Sequence, residues 1–128
     1  MFSHVMVGAN DIEESKTFYD AILATLGVPP GFIDDKGRVF YITQAGIFAI
    51  SKPINGEPAT FANGGTIGFA ANSPEQADAW HAAGLANGGS TCEDAPGVRE
   101  GGAKLYLAYL RDPAGNKICA LHNMQADA

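Results

Sequence analysis

Hydrophobic periodicity divides the chain into two runs built on one plan. Phe2 to Val7 reads as a short strand with His4 in its middle. Asp11 then stands at a helix N-cap, with Glu14 three residues on, and Ile12, Tyr19, Ile22, Leu23 and Leu26 follow at near-helical spacing. Gly27 supplies the stop, and Pro29-Pro30 forbids continuation. Val39 to Thr43 and Ile47 to Ser51 are predicted to form a hairpin about Gln44-Ala45-Gly46. The stretch from Lys52 to Gly65, rich in Pro, Gly and Asn, is a connecting loop.

The second run repeats this order. Thr66 to Ala71 is a strand, and Ser73, Pro74 and Gln76 open a helix whose apolar stripe is Ala77, Trp80, Ala83 and Ala86. Gly88-Gly89 ends it. Leu105 to Arg111 and Lys117 to Leu121 are strands joined by the turn Asp112-Pro113-Ala114-Gly115-Asn116. His4 and Thr66, Asp11 and Ser73, and Gly27 and Gly89 are each separated by the same 62 positions. Three different landmarks on one offset mark an internal repeat. The offset grows to 69 between Gly46 and Gly115, so the second copy carries a longer loop around Cys92 to Lys104. The plan is β-α-β-β twice, with one further short strand expected in each copy.

At 128 residues, the expectation is a single domain over 1–128, with module 1 over about 1–58 and module 2 over about 62–124. Hydrophobic residues make up 46% and charged residues 17%, enough apolar material for a core. Eight Lys+Arg against fourteen Asp+Glu leave a formal charge of −6, which argues against nucleic acid as a partner. No apolar stretch approaches a membrane span, and no basic segment precedes the first apolar run. Cys92 and Cys119 match neither a disulfide framework nor a zinc motif. A cytoplasmic, reduced protein is the expectation.

Two segments carry a more specific signal: Val7 to Tyr19 (V-G-A-N-D-I-E-E-S-K-T-F-Y), and Tyr109 to Leu121 with its D-P-x-G-N turn. With them the chain resembles the vicinal oxygen chelate superfamily, which includes glyoxalase I, drug-resistance proteins and extradiol dioxygenases. The resemblance lies toward its lactoylglutathione-lyase-like members. It implies an α+β fold of two βαβββ modules, with a curled mixed sheet around a cavity, and pairing as a homodimer. In catalytic relatives a divalent metal in the cup chelates two neighbouring substrate oxygens. Its ligands come from the first and last strands of the modules.

Carried over residue by residue, the first ligand position holds His4. Its counterpart in the second copy holds Thr66, and the acidic position on the final strand holds Cys119. The same count from Gly46 reaches Ile50, with Ala49 and Ser51 on either side if the register slips. This set suits no hard divalent ion, so no resident metal is expected.

His4 reads as a hydrogen-bonder or general base, or more plainly as a cavity-lining histidine with one partner. Cys119 reads as a thiol facing it, a candidate catalytic pair, or as a small buried apolar residue. Tyr41 and Tyr106 are candidates to orient a ligand. Tyr106 qualifies on the condition that Cys119 pairs opposite Leu110. Arg99, in the loop Glu93 to Lys104, is a candidate anion-binder on a lid, the alternative being a plain solvated loop. Trp80 belongs to the core, and His81 and His122 to solvent.

The partner implied is a small organic molecule. Three functions stay open: an atypical, metal-independent lyase or isomerase, a non-catalytic sequestering protein, and a metal-dependent lyase with substitute ligands.

Overall fold

The computed structural model describes residues 1–100 and 103–127. Strand β1 (His4–Gly8) leads into helix α1 (Ile12–Ala24), followed by β2 (Phe32–Ile33), β3 (Val39–Thr43) and β4 (Gly46–Ser51). The second half runs β5 (Ile67–Ala70), α2 (Pro74–Ala86), β6 (Ser90–Thr91), β7 (Gly97–Arg99), β8 (Leu105–Arg111) and β9 (Lys117–Asn123). A turn of 3-10 helix, Met124–Asp127, follows. The fold is α+β, and the strands form two mixed sheets rather than one.

The first sheet has the order β1-β4-β3-β2, with β1 parallel to β4 and the other pairs antiparallel. The second has the order β5-β9-β8-β6, with β7 also on β8, and β5 parallel to β9. Neither sheet closes on itself, so β1 and β5 are edge strands. The extra short strand expected in each copy is present as β2 in the first. The second has two, because its longer loop returns to β8 as β7.

Local chemistry explains both helices. The Asp11 carboxylate accepts from the Glu14 N–H at 3.1 Å, and the Ser73 hydroxyl from the Gln76 N–H at 3.0 Å. Such caps contribute about 1 kcal/mol each. Both helices start and stop 62 positions apart, as the repeat requires. The left-handed stop is Gly27 (φ +82°) in the first copy but Gly88 (φ +99°) in the second, one position before the match. Gly89 instead makes room for α1, since a Cβ there would lie 2.5 Å from the Phe18 ring.

One core draws on both halves: Phe18, Tyr19 and Ile22 of α1, Trp80 of α2, and the inward faces of β3, β4, β8 and β9. Phe48 meets Phe69 edge-on at 5.2 Å, and Phe69 lies 6.4 Å from Trp80. An aromatic chain therefore crosses from one sheet to the other. The D-P-x-G-N turn fastens the halves further. Buried Asp112 accepts from the Tyr19 hydroxyl at 2.6 Å, and Asn116 Nδ2 donates to the Gly8 carbonyl at 3.0 Å. No helix among the described residues is long and apolar enough to cross a membrane.

Candidate functional site

Strand register decides which side chains can meet, because laterally paired residues share a face. In the first sheet Val5, Val7, Phe48, Ile50, Val39 and Tyr41 face the core. His4, Met6, Ile47, Phe40 and Ile42 lie on the outer face. In the second sheet Ile67, Phe69, Ile118, Ala120, Tyr106 and Leu110 face inward. Gly68, Cys119, Tyr109 and Lys117 face outward. Since the inner faces pack on one core, the outer faces point away from each other. One chain therefore does not bring His4 against Cys119.

His4 is exposed, and its Nδ1 lies 2.7 Å from the Ser3 hydroxyl. It borders a cleft of about 430 Å³ between edge strands β1 and β5. Leu23, Leu26, Val28, Phe48, Ile67 and Phe69 make this cleft apolar, while Ser3, His4 and Thr43 supply polar groups. Such a lining suits a small organic molecule.

Tyr41 borders the same cleft from the core side, its side chain buried. Its hydroxyl donates to Asp20 Oδ1 at 2.8 Å. Burial first, and then this bond, push its phenol far above the ordinary value. Burial would also raise the Asp20 carboxyl. Lys16, the Gly31 N–H and the Tyr41 hydroxyl outweigh it and hold Asp20 below the usual range.

Tyr106 is likewise on the helix side. β8 and β9 place Cys119 opposite Tyr109, with Leu110 opposite Ile118, so the condition set for Tyr106 fails by one residue. Its hydroxyl donates to Asp78 Oδ1 at 2.7 Å, and that bond pushes its pKa up to about 12. The outward tyrosine is Tyr109, which sequence reasoning misses; the pairing register is the signal needed to find it. The same register aligns Cys119 with Ala49 rather than Ile50, since Met6 pairs with Ala49 as Gly68 pairs with Cys119.

Cys119 is buried, and a Cβ on Gly68 would lie 3.2 Å from its sulfur. Burial pushes the thiol up, Lys117 partly opposing. A neutral, shielded thiol makes a poor nucleophile. Iodoacetamide should therefore alkylate half-buried Cys92 at least tenfold faster than Cys119 in the native state, read by peptide mass spectrometry. Equal rates would show that Cys119 is open to solvent.

Arg99 ends β7, and its guanidinium turns back on its own loop, donating to the carbonyls of Asp94, Ala95 and Gly97. It also lies 5.5 Å from the Tyr109 ring centre, and Lys117 Nζ lies 5.0 Å from it. Within the loop expected as a lid, residues 101 and 102 lie outside those described. Thr66 precedes β5, exposed, beside Arg111 and Lys117. His122 is not solvated as expected. It is buried on β9, its Nδ1 3.0 Å from the Ala71 carbonyl oxygen. His81 is half-buried on α2, where burial lowers its pKa against the pull of Asp78.

The positions that the resemblance assigns to a divalent ion thus hold an imidazole on one sheet, a hydroxyl and a neutral thiol on the other, and Ala49. They include no carboxylate and do not fit a hard divalent ion. Among the described residues, no three His, Cys, Asp or Glu side chains gather closely enough to hold a metal.

The comparisons agree with this architecture. A family model described as Glyoxalase/Bleomycin resistance protein/Dioxygenase superfamily matches residues 1–120. The crystal structure of a glyoxalase/bleomycin resistance protein from Albidiferax ferrireducens T118 is 68% identical, with a TM-score of 0.91 over 95% of this chain and 98% of that one. A lactoylglutathione lyase from Agrobacterium tumefaciens shares 19% identity, with a TM-score of 0.68 over 98% of this chain and 95% of that one. A glyoxalase/bleomycin resistance protein/dioxygenase family enzyme from Burkholderia phytofirmans PsJN, also at 19%, gives a TM-score of 0.72 over 94% and 97%. The last two likenesses concern the fold alone. No curated protein matches the chain. With a repeated β-α-β-β plan, the D-P-x-G-N turn and a family model spanning nearly its whole length, the chain belongs to the glyoxalase/bleomycin resistance protein/dioxygenase superfamily.

Proposed function

We propose that this protein binds a small organic molecule in the cleft between β1 and β5, without a chelated divalent ion. The observation that carries the reading is the cleft itself: about 430 Å³, walled by Leu26, Phe48, Ile67 and Phe69, with His4 and Ser3 among the residues that border it. His4 is the hydrogen-bonding group for a polar end of the ligand, and the apolar walls take its body. A binding or sequestering role is favoured over covalent turnover. Cys119 carries a neutral thiol, and it lies on a face turned away from His4. Pairing of two copies is part of the proposal. The outer face of the first sheet exposes Met6, Phe32 and Ile42, an apolar surface that a second copy would cover.

A thermal-shift screen of apolar and amphipathic small molecules tests this reading without assuming a reaction. A true ligand at one hundred times its Kd should add about 2.7 kcal/mol of stability. His4→Ala should weaken such a ligand several-fold, and Leu26→Glu should abolish its binding, while Ni, Mn and Zn salts leave the melting temperature unchanged. Stoichiometric divalent metal in freshly purified protein, or ligand binding indifferent to both substitutions, would refute the proposal.

A further inference from the structure

A second recess, on the outward side of the other sheet, has a chemistry unlike that of the cleft. About 220 Å³ in volume, it lies between the loop before β5 and the ends of β8 and β9. Phe61, Asn63, Thr66, Arg111, Lys117 and the Gly64-Gly65 pair line it, and among the described residues no acidic side chain does. Three of the chain's eight Lys and Arg residues, Arg99, Arg111 and Lys117, lie on this side of a molecule with a formal charge of −6.

Each of these cations is already held in place. Arg111 Nη1 donates to the Gly115 carbonyl at 2.8 Å, and its guanidinium carbon lies 5.7 Å from the Phe61 ring centre. Lys117 sits beside the Tyr109 ring and forms an ion pair with Glu93, the one carboxylate that competes for it among the described residues. Arg111 enters no ion pair among them. Its guanidinium keeps donors to spare for a planar or tetrahedral oxyanion. Exposed Thr66 lines the same recess. Preplaced cations reduce the ordering cost of binding an anion.

We infer that this recess binds the oxyanion of a small aromatic acid, between Arg111 and Lys117, with the ring of the ligand against Phe61. The volume suits one carboxylate or phosphate group and a single ring, not a macromolecule. The site is independent of the β1–β5 cleft, and neither requires the other to be filled.

Calorimetric titration at low salt with phenyl phosphate, benzoate, inorganic phosphate and benzyl alcohol tests the assignment. Both aromatic acids should bind at least tenfold more tightly than benzyl alcohol, and whichever is tighter identifies the preferred oxyanion. Arg111→Gln should weaken the acids at least tenfold. Lys117→Gln, which leaves the Arg111–Gly115 bond intact, serves if Arg111→Gln unfolds, and should also weaken them. Phe61→Ala, on an exposed loop, should weaken phenyl phosphate without changing inorganic phosphate. Leu26→Glu, which blocks the cleft, should change none of these values, so failure here and failure of the proposed function can be told apart. Absence of binding, equal binding of benzyl alcohol, or acid binding unchanged in folded Arg111→Gln and Lys117→Gln would overturn the inference. Inorganic phosphate bound as tightly as phenyl phosphate would remove its organic part.

Discussion

Asp112→Ala is expected to cost about 3 kcal/mol of unfolding free energy, read as a lower urea midpoint at pH 7 with an unchanged slope. The carboxylate is 4% exposed and accepts from four donors: the Tyr19 hydroxyl, Asn116 Nδ2, and the backbone N–H groups of Ala114 and Asn116. Truncation leaves the buried Tyr19 hydroxyl and Asn116 N–H without this acceptor, while Asn116 Nδ2 keeps the Gly8 carbonyl. That penalty exceeds the net value of the bonds themselves. Tyr19→Phe removes only one donor, and Asn116 Nδ2 still serves the same carboxylate oxygen, so its cost should be nearer to about 1 kcal/mol. A loss below about 1 kcal/mol in Asp112→Ala would show that water replaces the missing carboxylate, and that the turn is no clamp.

Trp80→Ala should be at least as damaging, at about 3–5 kcal/mol, because it empties the largest fully buried side chain in the core. Trp80→Phe should cost far less. The indole Nε1 is buried with no hydrogen-bond partner among the described residues, so removing it relieves an unsatisfied donor while opening a smaller void. Chemical denaturation of the two variants supplies the comparison. Equal losses would mean that the indole N–H has a partner and that the volume argument is incomplete.

The elements of this fold are legible in the sequence because their signals are local. Asp11 and Ser73 cap helices where a side-chain oxygen three residues ahead of a free N–H must do so. Proline, glycine and the D-P-x-G-N run mark the breaks. Candidate site residues are harder to place, because facing depends on register between distant strands. A shift of one residue in the β8–β9 pairing exchanges inward and outward positions, and so Tyr106 belongs to the helices while Tyr109 stands beside Cys119. Tyr41 eludes a sequence reading for a related reason. Nothing in its neighbourhood along the chain announces Asp20 as its partner, 21 residues away. His122 lies near the end of the chain, where solvent is the natural guess, yet β9 continues past Leu121 and carries it into the interior. The recess at Thr66 is invisible in the sequence because its cations come from β8 and β9 and its glycines from a loop some fifty residues earlier.

The bonds from Tyr19 to Asp112 and from Asn116 to Gly8 join residues 93 and 108 positions apart. During synthesis, therefore, the first half of the polypeptide leaves the ribosome well before its fastening exists. Until residues 112–116 arrive, Tyr19 lacks its acceptor and β1 its last lateral support. Closing such long loops late is slow, and the waiting intermediate exposes strand edges and aromatic surface. Premature chain termination upstream of that turn should accordingly give products that chaperones retain or proteases clear, not independently folded halves.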